Sequence, residues 1–358
     1  MPPLDLTATS VDLTRMICDI PSVSGDEVAL ADLIAASMRD LAHLEVYRDG
    51  DTIVARTQLG RAQRVVIAGH IDTVPINGNV PTREVAIDGA PFLWGRGTVD
   101  MKAGVAVQLK LAAELTDPRV DITWMWYDHE EVDADLNGLT RLAATRPDLF
   151  AADFAILGEP SNGAVEGGCN GNMRVIVRTH GVRAHSARAW VGENAIHKAA
   201  PVLARLAEYR PREVPVDGLV YREGLNAVRI TGGVAGNVIP DLCEVEVNYR
   251  FAPSRSAEEA EGHVRDVFAG FELDVVDIAV GARPGLDAPL AQEFVAAVGA
   301  EARPKYGWTD VARFSAMGVP AVNYGPGDPM LAHHDEERVS HAQIEDVERG
   351  LRAWLSAP

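Results

Sequence analysis

The sequence predicts an α/β protein interrupted by a ferredoxin-like α+β insert, and three observations predict it. Short, wholly apolar runs alternate with helical patterns over the first half, as expected of strands buried on both faces of a largely parallel sheet. From residue 172 to residue 283 the order changes to β-α-β-β-α-β, which suits helices on one face of an antiparallel sheet. From Gly285 the α/β style resumes. The expected domains are therefore 1–171 together with 284–358, and an inserted domain at 172–283.

The chain has 358 residues, 47% of them hydrophobic, enough to fill two cores. Its formal net charge of −19 argues against nucleic acid or an anionic membrane as partner, because both would repel it. Cys18, Cys169 and Cys243 are too few and scattered for a disulfide framework. No basic region followed by an apolar run opens the chain, and no stretch has eighteen uninterrupted apolar residues, so the expected location is cytoplasmic.

Ser24-Gly25-Asp26-Glu27 has capping-box spacing ahead of a helical pattern through Val28, Leu30, Leu33 and Ile34. Strands follow at 44–47 and 52–56. The buried run Val65-Val66-Ile67-Ala68 then stops at Gly69-His70-Ile71-Asp72-Thr73-Val74-Pro75. His70 and Asp72 thus emerge at a strand's carboxyl end, where open α/β sheets place their sites. A histidine oriented by a carboxylate is a typical metal ligand, although His-x-Asp alone more often marks a turn than a site.

Residues 77–91 are loop-like. They lead into Gly95-Arg96-Gly97-Thr98-Val99-Asp100-Met101-Lys102 and a helix over 102–115, with Asp100 near its start. Asp100 could be a simple cap; a phosphate loop is excluded, since neither glycine spacing for one is present. A strand at 122–127 ends in Asp128-His129-Glu130-Glu131, four ionisable groups that must be solvated, paired or metal-bound. After a helix near 136–146, a third buried strand, 154–157, ends in Gly158-Glu159-Pro160. Apolar strand followed by histidine or carboxylate has now occurred three times.

The insert reads as strand 174–179, helix 195–209, strands 227–231 and 243–249, helix 257–269 and strand 272–280. The last part reads as helix 290–298, loop 308–310, strand 321–324, the run Leu331-Ala332-His333-His334-Asp335-Glu336-Glu337, and a closing helix over 343–355.

His70, Asp100, Glu130 or Glu131, Glu159 and His333 or His334 are nitrogen and oxygen donors without sulfur. Such donors suit Zn²⁺, and also Mn²⁺ or Co²⁺. Two ions about 3.5–4 Å apart need a shared ligand, which a carboxylate can be; Asp100 is the candidate. Neighbours on a strand point to opposite faces, so for Glu130 and Glu131 to serve one site the chain must turn there.

These motifs resemble the dizinc amidohydrolase family that contains aminoacylases, dimetal carboxypeptidases, acetylornithine deacetylases and succinyl-diaminopimelate desuccinylases. The resemblance spans nearly the whole chain. It implies a dimetal aminopeptidase-like catalytic domain with an inserted lid that also makes a homodimer, and two Zn²⁺ per subunit with Co²⁺ or Mn²⁺ as substitutes. It gives His70 and Glu159 to one ion, Glu131 and His333 to the other, and Asp100 to both. Asp72 orients His70, and Glu130 is the general base. His129, where the family often has an acidic residue, is a competing donor or a support. The spacing of His333 to Glu337 favours His333 over His334.

Gly181-Val182-Arg183-Ala184-His185-Ser186-Ala187 resembles the family's lid motif, which implies that His185 donates to the oxyanion in the partner subunit's site. Asn237 and Arg250 resemble lid residues that hold an acyl carboxylate, and a guanidinium offers that group a bidentate fork. Thr309 resembles a substrate-contacting loop residue. The runs at 166–172 and 183–190 are most similar to the actinobacterial desuccinylase branch. That implies an anionic N-acyl amino acid substrate and hydrolysis of N-succinyl-LL-2,6-diaminopimelate to succinate and LL-2,6-diaminopimelate, in lysine and diaminopimelate synthesis. The competing readings are an acetylornithine deacetylase or dipeptidase of the same family, and a non-catalytic metal-dependent binding protein.

Overall fold

Four apolar runs form the parallel heart of an eight-stranded sheet in a computed structural model that describes residues 3–356. The expected domain limits at 1 and 358 lie outside the described residues. Asp121–Tyr127, Arg64–His70, Phe154–Leu157 and Ala321–Asn323 lie side by side and parallel. Thr52–Arg56 and Glu45–Asp49 extend the sheet antiparallel on one side, and Val165–Gly167 and Ala302–Pro304 lie on the other. The central strands Asp121–Tyr127 and Phe154–Leu157 are buried along their whole length, which is why they read as unbroken hydrophobic runs. The core packs Trp124, Trp126 and Phe154 against helices Lys102–Glu114, Pro289–Val298 and His341–Ser356.

Helix Lys102–Glu114 approaches the sheet backbone to backbone. A Cβ added to Gly104 would lie 2.2 Å from the Gly158 carbonyl oxygen, so only glycine permits the approach. This close packing brings the residues just before the helix, Asp100 among them, to the carboxyl ends of the strands.

The chain divides into two units. The first is the stretch through Gly167, Pro284–Arg303 and the described residues from Arg313 on; the second is Gly168–Arg283 with Pro304–Ala312. The second unit holds an antiparallel sheet in the order Gly224–Gly232, Leu242–Phe251, Gly171–His180, Glu272–Ala279. With helices Ala200–Glu208 and Ala257–Val267 this is the expected ferredoxin-like order. Met173, Val175 and Val177 alternate inward to a core of their own, while Arg174 and Arg178 face outward among carboxylates.

Several local expectations need correction. The loop-like stretch 77–91 contains strand Arg83–Ile87 and the start of Ala90–Trp94, which pair with each other, and Ala90–Trp94 pairs in turn with Arg338–Ser340. Their connection is Asp88-Gly89, both residues at positive φ, a two-residue hairpin turn. Asp217-Gly218 makes the same turn between Glu213–Val216 and Leu219–Arg222. The helix expected at 195–209 is two helices, Ala195–Lys198 and Ala200–Glu208, the second starting with Pro201 in its first turn. Pro304–Ala312, placed with the catalytic domain by sequence, groups with the second unit: Asn170 N–H donates to the Lys305 carbonyl, and Trp308 Nε1–H to that of Val280. Among the described residues no helix is long and apolar enough to cross a membrane.

Candidate metal centre

His70 is the last residue of its strand and is 1% exposed. Its Nδ1 lies 3.0 Å from the Asp72 carbonyl oxygen and 3.4 Å from Asp72 Oδ1. The orienting contact expected of Asp72 is therefore present, but the Asp72 carboxylate does more. Buried completely, it accepts the Ser24 hydroxyl at 2.6 Å and the backbone N–H groups of Glu130 at 3.0 Å and Glu131 at 3.1 Å. Ser24 is thus no helix cap. Helix Val28–Arg39 begins after Glu27, whose side chain makes no capping bond, and Ser24 instead supports Asp72.

The turn that Glu130 and Glu131 require falls at His129, which adopts φ +58°. His129 Nδ1 lies 2.7 Å from Asp128 Oδ2, and its N–H donates to the buried Glu27 carboxylate at 3.2 Å. Asp128 is itself held by Thr52 and Arg141. His129 is therefore a support behind the turn and lies outside the donor cluster. Glu131 enters that cluster, and the charge of Glu130 acts on His70.

Asp100 stands between two imidazoles: Oδ1 is 3.0 Å from His70 Nε2, and Oδ2 is 3.3 Å from His333 Nε2. His333, at φ +64°, is also 3.0 Å from Glu131 Oε2. Its neighbour His334 accepts the Glu336 N–H within its own turn, so the structure brings His333 to the carboxylates. Donor atoms of His70, Asp100 and Glu131 lie within 4.8 Å of one another. Glu159 follows strand Phe154–Leu157, is 5% exposed and lies outside that tight triplet.

The electrostatics suit a cation. Burial opposes a charge on His70, yet hydrogen bonds to Asp100 and Asp72 hold its pKa well above the ordinary value. Hydrogen bonds to Asp100 and Glu131 push His333 up to about 10. Burial raises Asp100, but both imidazoles overcome it and hold that carboxyl below its usual range. The nearby Lys102 ammonium is buried and donates instead to the carbonyls of Ile17 and Ile20. Two imidazoles and two carboxylates drawn together without a lysine or arginine fit a divalent metal ion.

Sequence reasoning missed three supports. Glu337, completely buried, accepts the N–H groups of Val99 and Asp100 and pairs with Arg96; with Ser24 they complete the scaffold. Only the spacing of Glu337 from His333 hinted at one of them.

The second unit carries the remaining candidates. Exposed His185 ends the short strand Ala184–His185, and its Nδ1 accepts the Ala187 N–H at 3.0 Å. The Asn237 carbonyl accepts the Ser186 N–H, and the Thr309 carbonyl lies 3.7 Å from Cys169 Sγ. Arg250, opposite Asn172 and Gly224 in the sheet, is partly buried; burial pushes its pKa down, and among the described residues no carboxylate forms an ion pair with it.

The sequence profile of peptidase family M20/M25/M40 matches residues 66–357. A putative succinyl-diaminopimelate desuccinylase of Mycobacterium tuberculosis is 52% identical over 98% of this chain and 99% of its own length. A succinyl-diaminopimelate desuccinylase of Corynebacterium glutamicum is 48% identical over 99% and 98%. Among solved structures, a tripeptidase from Staphylococcus aureus superposes with a TM-score of 0.77 at 21% identity, covering 97% of this chain and 96% of its own. A dinuclear metal-binding peptidase of the M20 family from Bacillus subtilis superposes with a TM-score of 0.68 at 16% identity, covering 97% and 96%. At those identities the superpositions speak for the fold alone.

Proposed function

Because the chain belongs to peptidase family M20/M25/M40, a family of metal-dependent hydrolases, we propose that it hydrolyses N-succinyl-LL-2,6-diaminopimelate to succinate and LL-2,6-diaminopimelate. The two desuccinylases at 52% and 48% identity support this substrate. The structural observation that carries it is Arg250, a partly buried guanidinium with no carboxylate partner among the described residues. A cation held back from water without its own anion is prepared for an anionic ligand, and the acyl carboxylate of a succinyl group supplies one where an acetyl group does not.

His70 and Glu159 would hold one Zn²⁺ and Glu131 and His333 the other, with Asp100 serving both, and Co²⁺ or Mn²⁺ could substitute. When bound, such ions would polarise the amide carbonyl and lower the pKa of the attacking water toward about 7. Glu130 takes the proton from that water and returns it to the leaving amine nitrogen as the C–N bond breaks. Asp72 keeps Glu130 and Glu131 in place through their backbone N–H groups. Asn237, Arg250 and Thr309 bind substrate. The second unit dimerises the protein, and His185 donates to the oxyanion in the site of the other subunit. The three cysteines are free and buried, as suits an enzyme working in the cytoplasm.

The test is a side-by-side assay of succinylated and acetylated substrates with the metal-loaded enzyme and its Arg250→Met variant. The succinyl compound is expected to be the better substrate, and Arg250→Met to raise its KM by about 10- to 100-fold, the loss of one charge-assisted contact. Equal or better turnover of the acetyl compound by the wild type would overturn the reading.

A further inference from the structure

We infer that Glu337 is a positioning residue that holds Asp100 and the His333 segment in one frame. The inference rests on the ligand set proposed above. Glu337 lies on the run that carries His333 but touches none of the donor atoms. A carboxylate with no exposed surface is costly unless its oxygens are fully engaged, and here they are. One oxygen accepts the N–H of Val99 at 2.8 Å and of Asp100 at 3.0 Å, and the other lies 2.9 Å from Arg96 Nη1.

The backbone adds to this grip. The Glu337 carbonyl accepts the Gly95 N–H at 3.0 Å, and its own N–H donates to the His334 carbonyl, toward which Arg96 Nη1 also points at 3.4 Å. Residues 237 positions apart are thereby joined at several points. Asp100 faces a different imidazole with each carboxylate oxygen, so a shift of its backbone that improves one contact worsens the other. A shared ligand tolerates such a shift less than a terminal one does. The residue that fixes the Asp100 backbone from the segment bearing His333 therefore sets how well both donors meet their ions.

The test is stepwise Zn²⁺ binding to metal-free protein, followed by calorimetry or by competition with a chelating dye. In Glu337→Gln the amide NH₂ faces the Arg96 guanidinium, donor against donor, which weakens the grip without emptying the space. At least one Zn²⁺ is expected to bind about 10- to 100-fold more weakly, the usual effect of disturbing a residue behind a metal ligand. Arg96→Lys keeps the charge but loses the reach and fixed planar geometry with which Nη1 meets both the Glu337 carboxylate and the His334 carbonyl; roughly a three- to tenfold weakening is expected. Both Zn²⁺ affinities within twofold of wild type in folded Glu337→Gln would overturn the inference. A lower melting temperature of the metal-free variant with unchanged affinities would overturn it too, since it would reveal a structural role only. Should Glu337→Gln not fold, Arg96→Lys decides by the same criterion. His333→Ala separates the two levels: if it leaves Zn²⁺ binding unchanged, the ligand set falls and this inference with it. If it weakens binding while Glu337→Gln does not, the inference falls alone.

Discussion

The turn at His129 makes a quantitative prediction. A side chain at φ +58° costs roughly 1 kcal/mol relative to glycine, and more for a β-branched residue. The ring repays this through its 2.7 Å contact with the buried Asp128 carboxylate, a bond to a charged group of about 2 kcal/mol. His129→Gly loses the bond but relieves the turn, for a net loss near 1 kcal/mol. His129→Val loses the bond and strains the turn further, for a net loss near 3 kcal/mol. The functional split should be wider than the energetic one, because the turn immediately precedes Glu130, the proposed base. His129→Gly should keep kcat within about fivefold of wild type, whereas His129→Val should lose about 100-fold, as for a reacting group displaced by about 1 Å. Denaturant unfolding and steady-state kinetics of the metal-saturated variants measure both. If the two variants lose the same stability and the same kcat, the left-handed turn is not what aims the base.

Asp72→Asn, which leaves three donors facing a poorer acceptor, should weaken metal binding about 10- to 100-fold and lower kcat, while Ser24→Ala, removing one of those donors, should cost about 1 kcal/mol and only a few-fold in kcat. Gly104→Ala drives a methyl group into the Gly158 carbonyl and should destabilise the protein by about 3 kcal/mol or prevent folding, read from its denaturation midpoint. Hydrogen bonds to neighbouring carboxylates raise the pKa of both His70 and His333, to about 10 for His333, and a protonated imidazole must lose its proton to bind an ion. Calorimetry of Zn²⁺ binding near pH 7.5 in buffers of different ionisation enthalpy should therefore show net proton release, including the proton of His333. For His333 the folded pKa, about 10, is above the ordinary 6.5, so its contribution to metal-free stability is complete below pH 6.5 and fades as pH rises toward 10. Thermal melts of metal-free protein should track that loss, and metal-loaded protein should not.

The ends of the buried strands are legible in the sequence because strands covered on both faces are written as continuous apolar runs, and a histidine or carboxylate that ends one stands out. The need for a turn between Tyr127 and Glu131 follows from strand geometry alone, and His129 provides it. Two kinds of feature are harder to read. The Asp88-Gly89 and Asp217-Gly218 hairpins carry a plain local signal, but the glycine and proline around the first make its flanking strands look like loop. The supports are a matter of distance along the chain. Nothing near Ser24 announces that its hydroxyl meets Asp72, and nothing near Glu337 announces that it accepts the Asp100 N–H. Such partners become visible only when the two segments fold together. Pro304–Ala312 is similar: its apolar content suits either unit, and hydrogen bonds with residues 168–283, from Asn170 N–H to the Lys305 carbonyl and from Trp308 Nε1–H to the Val280 carbonyl, go with its grouping in the second unit.

The two imidazoles proposed as ligands, one for each ion, differ sharply in access to water. His70 is 1% exposed, whereas the His333 side chain is 54% exposed and stands on a loop; the carboxylates grouped with them, Glu159 and Glu131, are both largely buried. An ion held at His70 would sit among buried groups, while one held at His333 would lie beside a solvent-exposed ring. The exchange rates of the two ions should therefore be well separated, and a chelator should strip the protein in two phases. In a cell short of metal, such a protein would idle with one ion retained, ready to restart once a second arrives, without refolding its centre.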